Sequence, residues 1–124
     1  MDADALALAA FLGIPGARLA GVVDMCTGLY LALEVGSCDP EEADGLAVSV
    51  RELFDGERAA GLRRSYAGAD ETQGVQEVLV LGEKATFMFA RVRGVDDAAL
   101  AVACGRDVNL GIILTKTREL VRVG

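Results

Sequence analysis

Three consecutive stretches decide the fold: Val75–Leu81 (VQEVLVL), Ala85–Val92 (ATFMFARV) and Ala98–Cys104 (AALAVAC). Gly82-Glu83-Lys84 separates the first two, and Arg93-Gly94-Val95-Asp96-Asp97 separates the second and third. Short runs rich in Val, Phe and Ala, bounded by such turn signals, read as strands, and the tight first turn makes a hairpin. A half-wetted antiparallel sheet alternates polar and apolar residues, yet VLVL, TFMF and LAVAC are apolar at both parities. Both faces of this sheet are therefore expected to be covered, by helices or by a second chain.

The rest of the chain supplies the cover. Asp2–Gly13 (DADALALAAFLG) reads as a short first helix, with Leu6, Ala9, Ala10 and Leu12 toward one side, Asp2 or Asp4 as cap and Gly13 as stop. After the Pro15-Gly16 turn, Ala17–Met25 and Leu29–Val35 form a further hairpin across Cys26-Thr27-Gly28. Asp39-Pro40-Glu41-Glu42 is a strong helix start: an Asp cap, Pro at the first helical position, and Glu42 placed to close a capping box. That helix carries Leu46, Ala47, Val50, Leu53 and Phe54 on its apolar side and is expected to end near Arg64. Val108–Val123 brings Leu110, Ile113, Leu114, Thr117 and Val121 together as an amphipathic last helix. The predicted order is α-β-β-α-β-β-β-α, an α+β single domain over residues 1–124 with a five-stranded antiparallel sheet.

Composition narrows the function. The chain has 124 residues, 52% of them hydrophobic and 25% charged, which suits one folded domain and not a disordered one. Twelve bases against nineteen acids give −7, so nothing would neutralise a nucleic-acid backbone in bulk. Residues 1–57 hold eleven acids and two bases (−9), and residues 58–124 hold eight acids and ten bases (+2), an asymmetry able to orient a partner. With no histidine, His-based triads are excluded. Cys26, Cys38 and Cys104 have neither metal-site nor framework spacing. Cys26 at the hairpin tip and Cys38 beyond its open end stand roughly 25 Å apart by strand length, too far to bond. Cys104 reads as a small buried hydrophobe. No run reaches the ~18 to 20 apolar residues of a membrane span, and no basic leader precedes Ala5–Leu12, so a cytoplasmic chain without membrane insertion is expected.

Several local patterns remain. Gly56–Gly61 has a Gly-x4-Gly skeleton, but Leu62 and Arg63 occupy the positions where a phosphate loop needs Lys and Ser/Thr. Gly45, Ser49, Gly56 and Ala60 fall near one stripe of the second helix, which suits helix-on-helix contact across a homodimer; the competing readings are intrachain packing or a break at Asp55-Gly56. Val75–Leu81 is a candidate edge strand that pairing with a second copy would protect, with Val75, Glu77, Leu79 and Leu81 in the interface, unless a loop or helix shields it. Arg51, Glu52, Asp55 and Arg58 form a mixed-charge face suited to a partner's polar rim or to solvent. The carboxylate pairs Glu41-Glu42, Asp70-Glu71 and Asp96-Asp97 read as caps and turns, not as acid/base pairs. Thr86, Arg91 and Asn109 are the polar groups open to a small-ligand pocket.

The order of elements, together with Ile14-Pro15-Gly16 before the first strand, Asp24-x3-Gly28 in the first hairpin and Asn109-Leu110-Gly111 opening the last helix, resembles the Roadblock family of dynein light chains and its stand-alone bacterial relatives in gliding motility. The resemblance spans nearly all of residues 2–123. It implies a profilin-like three-layer fold, with the sheet between the long second helix and the two terminal helices, extended across a homodimer through the third strand and second helix. It further implies a non-catalytic regulator or scaffold of a small Ras-like GTPase, including a GTPase-activating role, without a cofactor or nucleotide site of its own. The alternatives are a small-ligand sensor, or a general dimeric scaffold in a signalling or motor complex. An enzyme with a Cys nucleophile would lack a His to activate the thiol.

Overall fold

A computed structural model describes residues 8–67, 75–92 and 97–121, without the side chains at 58, 59, 63, 66 and 67. The described part of the first helix, α1, covers residues 8–12. It is followed by β1 (Ala17–Asp24), β2 (Leu29–Val35), α2 (Pro40–Asp55), α3 (Glu57–Ala67), β3 (Glu77–Leu81), β4 (Ala85–Arg91), β5 (Ala98–Gly105) and α4 (Leu110–Val121). The expected Asp2 and Asp4 caps, Asp70-Glu71 and Asp96 lie outside the described residues. The five strands form one antiparallel sheet in the order β2-β1-β5-β4-β3. The last strand in sequence thus fills the centre, and β5 is buried from Ala98 through Cys104.

Each face has its own core. On one, Leu8, Phe11 and Ile14 near α1 and Ile113 and Val121 of α4 pack on Ala20, Met88, Leu100 and Val102. On the other, Ala47, Val50 and Phe54 of α2 pack on Val23, Phe89, Ala99 and Ala101. The sequence expectation that both faces are covered is met over β1 and β5, while part of the α2 face toward β3 stays open. The inward side of α1 differs from expectation, because Ala9 and Ala10 are exposed. The larger Leu8 and Phe11, three residues apart, take the core instead, since they bury more apolar area per site.

The second helix is not one rod to Arg64. Gly56 adopts an extended conformation (φ −71°, ψ 173°), its N–H closes α2 onto the Glu52 carbonyl, and α3 starts afresh at Glu57. A Cβ at Gly56 would stand 2.5 Å from that carbonyl oxygen, so this break needs glycine. Two neighbouring boundaries also shorten: β3 begins at Glu77 instead of Val75, and α4 at Leu110 instead of Val108. The capping box is half made. Asp39 accepts the Glu41 N–H at 3.1 Å, but the Glu42 carboxylate turns to Arg18 at 3.5 Å and accepts the Cys38 thiol.

The three short motifs prove to be turn and cap hardware. Gly16 (φ +93°) and Gly28 (φ +74°) sit in the left-handed region that favours glycine. Asp24 accepts the Cys26 N–H at the first hairpin tip, and Asn109 accepts the Ile112 N–H to cap α4.

Candidate interface beside α2 and β3

Helix α2 sits off-centre on its face. Its backbone lies nearest β1, β2 and β5, with Phe54 reaching Phe89 and Arg91 of β4, and the Tyr30 hydroxyl donates to the Ala43 carbonyl to fix its N-terminal half. Tyr30 reaches across because position 21 is glycine: a Cβ there would lie 2.7 Å from the phenol ring. Burial pushes the Tyr30 phenol up to about 12, so it remains a donor at neutral pH.

This placement leaves the β3–β4 end of the same face open. Val78 and Val80 of β3 are register partners of Phe89 and Phe87 on β4, and the two phenyl rings stack at 6.4 Å. Between them and α2 runs an open groove of about 640 Å³, lined by Gly45, Leu46, Ser49 and Leu53 on the helix and by Val80, Phe87 and Phe89 on the sheet. It leads toward a wider depression where Val48, Leu62, Val75 and Val78 meet Glu52, Asp55, Glu57 and Glu77. Val48 and Leu62 are 68% and 61% exposed, so apolar side chains here face solvent.

The far wall is pinned by Arg91. Its guanidinium donates to the Val75 carbonyl and to Asp55, both at 2.7 Å, and lies 5.0 Å from the centre of the Phe54 ring. One side chain thus ties the entry to β3, the end of α2 and the core together. On the opposite face Arg118 makes a two-pronged bond to Glu77 at 2.9 and 3.0 Å, locking α4 to β3. The hydrogen bond from Arg118 holds the Glu77 carboxyl below the usual range.

Among the predicted interface residues, Gly45 and Ser49 are exposed on the groove wall. A Cβ at Gly45 would meet nothing within 4 Å, which removes intrachain packing as the reason for glycine there. Ser49 folds its hydroxyl back onto the Gly45 carbonyl at 2.8 Å, leaving a flat helix surface. Gly56 and Ala60 leave this stripe, because the break separates them from α2. Glu77, Leu79 and Leu81 do lie on an edge strand, while Val75 precedes it.

Among the predicted partner-binding residues, Arg51 and Glu52 are exposed, Asp55 is engaged by Arg91, and the Arg58 side chain lies outside the described residues. The three groups considered for a ligand pocket do not converge. Thr86 is buried, Arg91 is held by Asp55, and Asn109 caps α4. Cys104 is buried as expected, and burial pushes its thiol up to about 11. Cys26 is raised by its hydrogen bond to Asp97, and Cys38 by burial and then Glu42, so all three thiols are poor nucleophiles at neutral pH. Among the described residues no cluster of His, Cys, Asp or Glu is arranged to hold a metal ion. Among the same residues no helix is long and apolar enough to cross a membrane. Sequence reasoning missed the structural role of Arg91 and the groove floor at the half-buried Phe87. A lone Arg ending an apolar strand was the available signal.

The sheet order and the helix placement are those of the Roadblock/LC7 fold. The structure is similar to a Roadblock/LC7 domain from Streptomyces avermitilis (21% identity, 96% of this chain and 92% of that one, TM-score 0.72). It is also similar to the gliding protein MglB of Thermus thermophilus (21% identity, 97% and 84%, TM-score 0.75) and to Myxococcus xanthus MglB (13% identity, 97% and 89%, TM-score 0.75). No protein-family model and no curated protein sequence matches the chain.

Proposed function

We propose that the chain acts as a homodimeric, non-catalytic regulator or scaffold of a small Ras-like GTPase in the cytoplasm. The observation that carries the reading is the open apolar groove between α2 and β3, continuous with the unpaired β3 edge. A second copy fills it if β3 strands pair antiparallel about Leu79, setting Val78 beside the partner copy's Val80 and bringing the α2 helices together along Gly45 and Ser49. The sheet then continues across both copies and the edge is no longer exposed. The fold shared with the MglB gliding proteins supports the regulatory reading.

A chain with weakly nucleophilic thiols and no phosphate loop works on its partner by binding. It favours one nucleotide state of the GTPase by the difference in its affinity for the two switch conformations. Exposed Arg51 and Glu52 beside the dimer seam supply the polar rim of that contact. The test is a pull-down with the tagged chain from host lysate in excess GTP analogue and in excess GDP, with mass identification of retained proteins. A GTPase retained preferentially in one state is the expected result. Proteins retained equally in both states would replace the reading with a general dimeric scaffold.

A further inference from the structure

The other edge of the sheet carries a second surface that the dimer reading does not use. Strand β2 has no strand beyond it among the described residues, and it exposes Leu29 (67%), Leu31 (46%), Leu33 (39%) and Val35 (45%). Seven residues of strand, four of them large and exposed, offer a template on which another strand can pair on either side of the bulge at Leu31. A shift in register between Val22 and Val23 leaves Leu31 unpaired against β1, which adds apolar surface at the middle of the edge.

The charge around this edge selects the occupant. Asp24 ends β1 opposite Leu29, and Glu34 lies within β2. Above the edge, the bond from Tyr30 to the Ala43 carbonyl holds the N-terminal turns of α2, with exposed Asp39 and Asp44. Asp44 is close enough to act on the Tyr30 phenol. Of the cations beside this hairpin, Arg18 is engaged by the Ser37 carbonyl and Glu42, and Arg51 acts at the tip on Cys26. A second copy would bring the same acids against themselves, and copies joined at both β2 and β3 would propagate without closing.

We propose that the β2 edge binds an extended partner segment that alternates apolar and basic residues, by strand addition to the sheet. Main-chain hydrogen bonds hold such a segment, its apolar side chains cover the exposed leucines, and its cations meet the acidic flank. The inference stands apart from the GTPase reading and from dimerisation at β3.

The test uses a fluorescein-labelled octapeptide of alternating valine and lysine, titrated with the full chain by anisotropy. Expected are saturable binding, at least tenfold weakening between 25 and 300 mM NaCl, and at least tenfold weakening in a Leu31→Ser/Leu33→Ser variant whose melting temperature shows that it folds. The same peptide N-methylated at alternate residues, which cannot donate to an edge, should lose binding. Ile112→Ser, an exposed apolar site on α4, should leave binding unchanged. Equal binding of the N-methylated peptide would overturn strand addition in favour of simple ionic adsorption. Absence of binding would overturn the proposal, as would self-association of the chain that Leu33→Lys abolishes, which would assign the edge to a second copy.

Discussion

The two faces of the sheet are built from similar amounts of sequence and finish differently. One is nearly closed: α1 and α4 together span it from β1 to β4, and the Glu77–Arg118 bond clamps its far edge, leaving Leu79 and Leu81 of β3 exposed there. The other is half closed: α2 covers β1, β5 and Phe89 of β4, then leaves Val78, Val80 and Phe87 partly buried beside a groove. Apolar area spent within the chain, as under α1 and α4, contributes stability. A half-closed face holds apolar area in reserve, and recognition uses that reserve.

The largest expected effect breaks the closed face. Leu100→Ala removes a fully buried side chain from beneath α1 and α4 and should cost about 3 kcal/mol in urea unfolding. Arg91→Met comes next. It keeps the aliphatic stem but strips Asp55 and the Val75 carbonyl of their donor, which should cost about 2 kcal/mol and loosen the wall of the groove. Ser49→Arg should leave the monomer's unfolding midpoint unchanged, because the site is exposed, yet weaken self-association at least tenfold, about 1.4 kcal/mol, in sedimentation equilibrium.

Gly45→Ala sharpens the comparison further. In a monomer it should stabilise α2 by up to about 1 kcal/mol, since nothing opposes the new methyl group. In a dimer packed along that stripe the same methyl separates the helices, so the melting temperature should rise at low protein concentration and self-association should weaken. The smallest effect is acid dependence on the closed face. The Glu77 carboxyl is held below its ordinary value, so its contribution is present above that value and lost as pH falls through the lowered one. A comparison of melting temperatures with Glu77→Gln should show a small gap at pH 7 that closes as pH falls through the lowered carboxyl value, small because both groups are partly exposed.

Much of the fold was legible in residues that act on their neighbours. Asp39-Pro40, Gly16, Gly28 and Asn109 each satisfy a backbone demand within a few residues, and each stands at the boundary expected of it. Fully apolar β5 announced a strand covered on both faces, because only burial on both faces permits Leu100, Ala101 and Val102 in succession, and its central place in the sheet came from the tertiary structure. Gly56 was harder. A glycine inside a helical pattern costs about 1 kcal/mol whether the helix continues or breaks, and the Glu52 carbonyl that excludes a Cβ becomes visible once α2 is closed.

The candidate site was legible only in part, for the same reason. Gly45 and Ser49 read as a stripe of small residues, but whether a stripe faces its own sheet or the outside depends on where the helix rests. That was set by Tyr30, which lies over Gly21 and takes the Ala43 carbonyl, drawing α2 toward β1 and away from β3. Likewise, Asp55 looked like a solvated acid until β4 brought Arg91 to it across 36 positions of sequence. Strands, turns and caps follow from short-range sterics and hydrogen bonding, which a linear pattern records. The lateral offset of α2, and with it the open groove, follows from contacts between residues distant in sequence, whose energies belong to the packed chain as a whole.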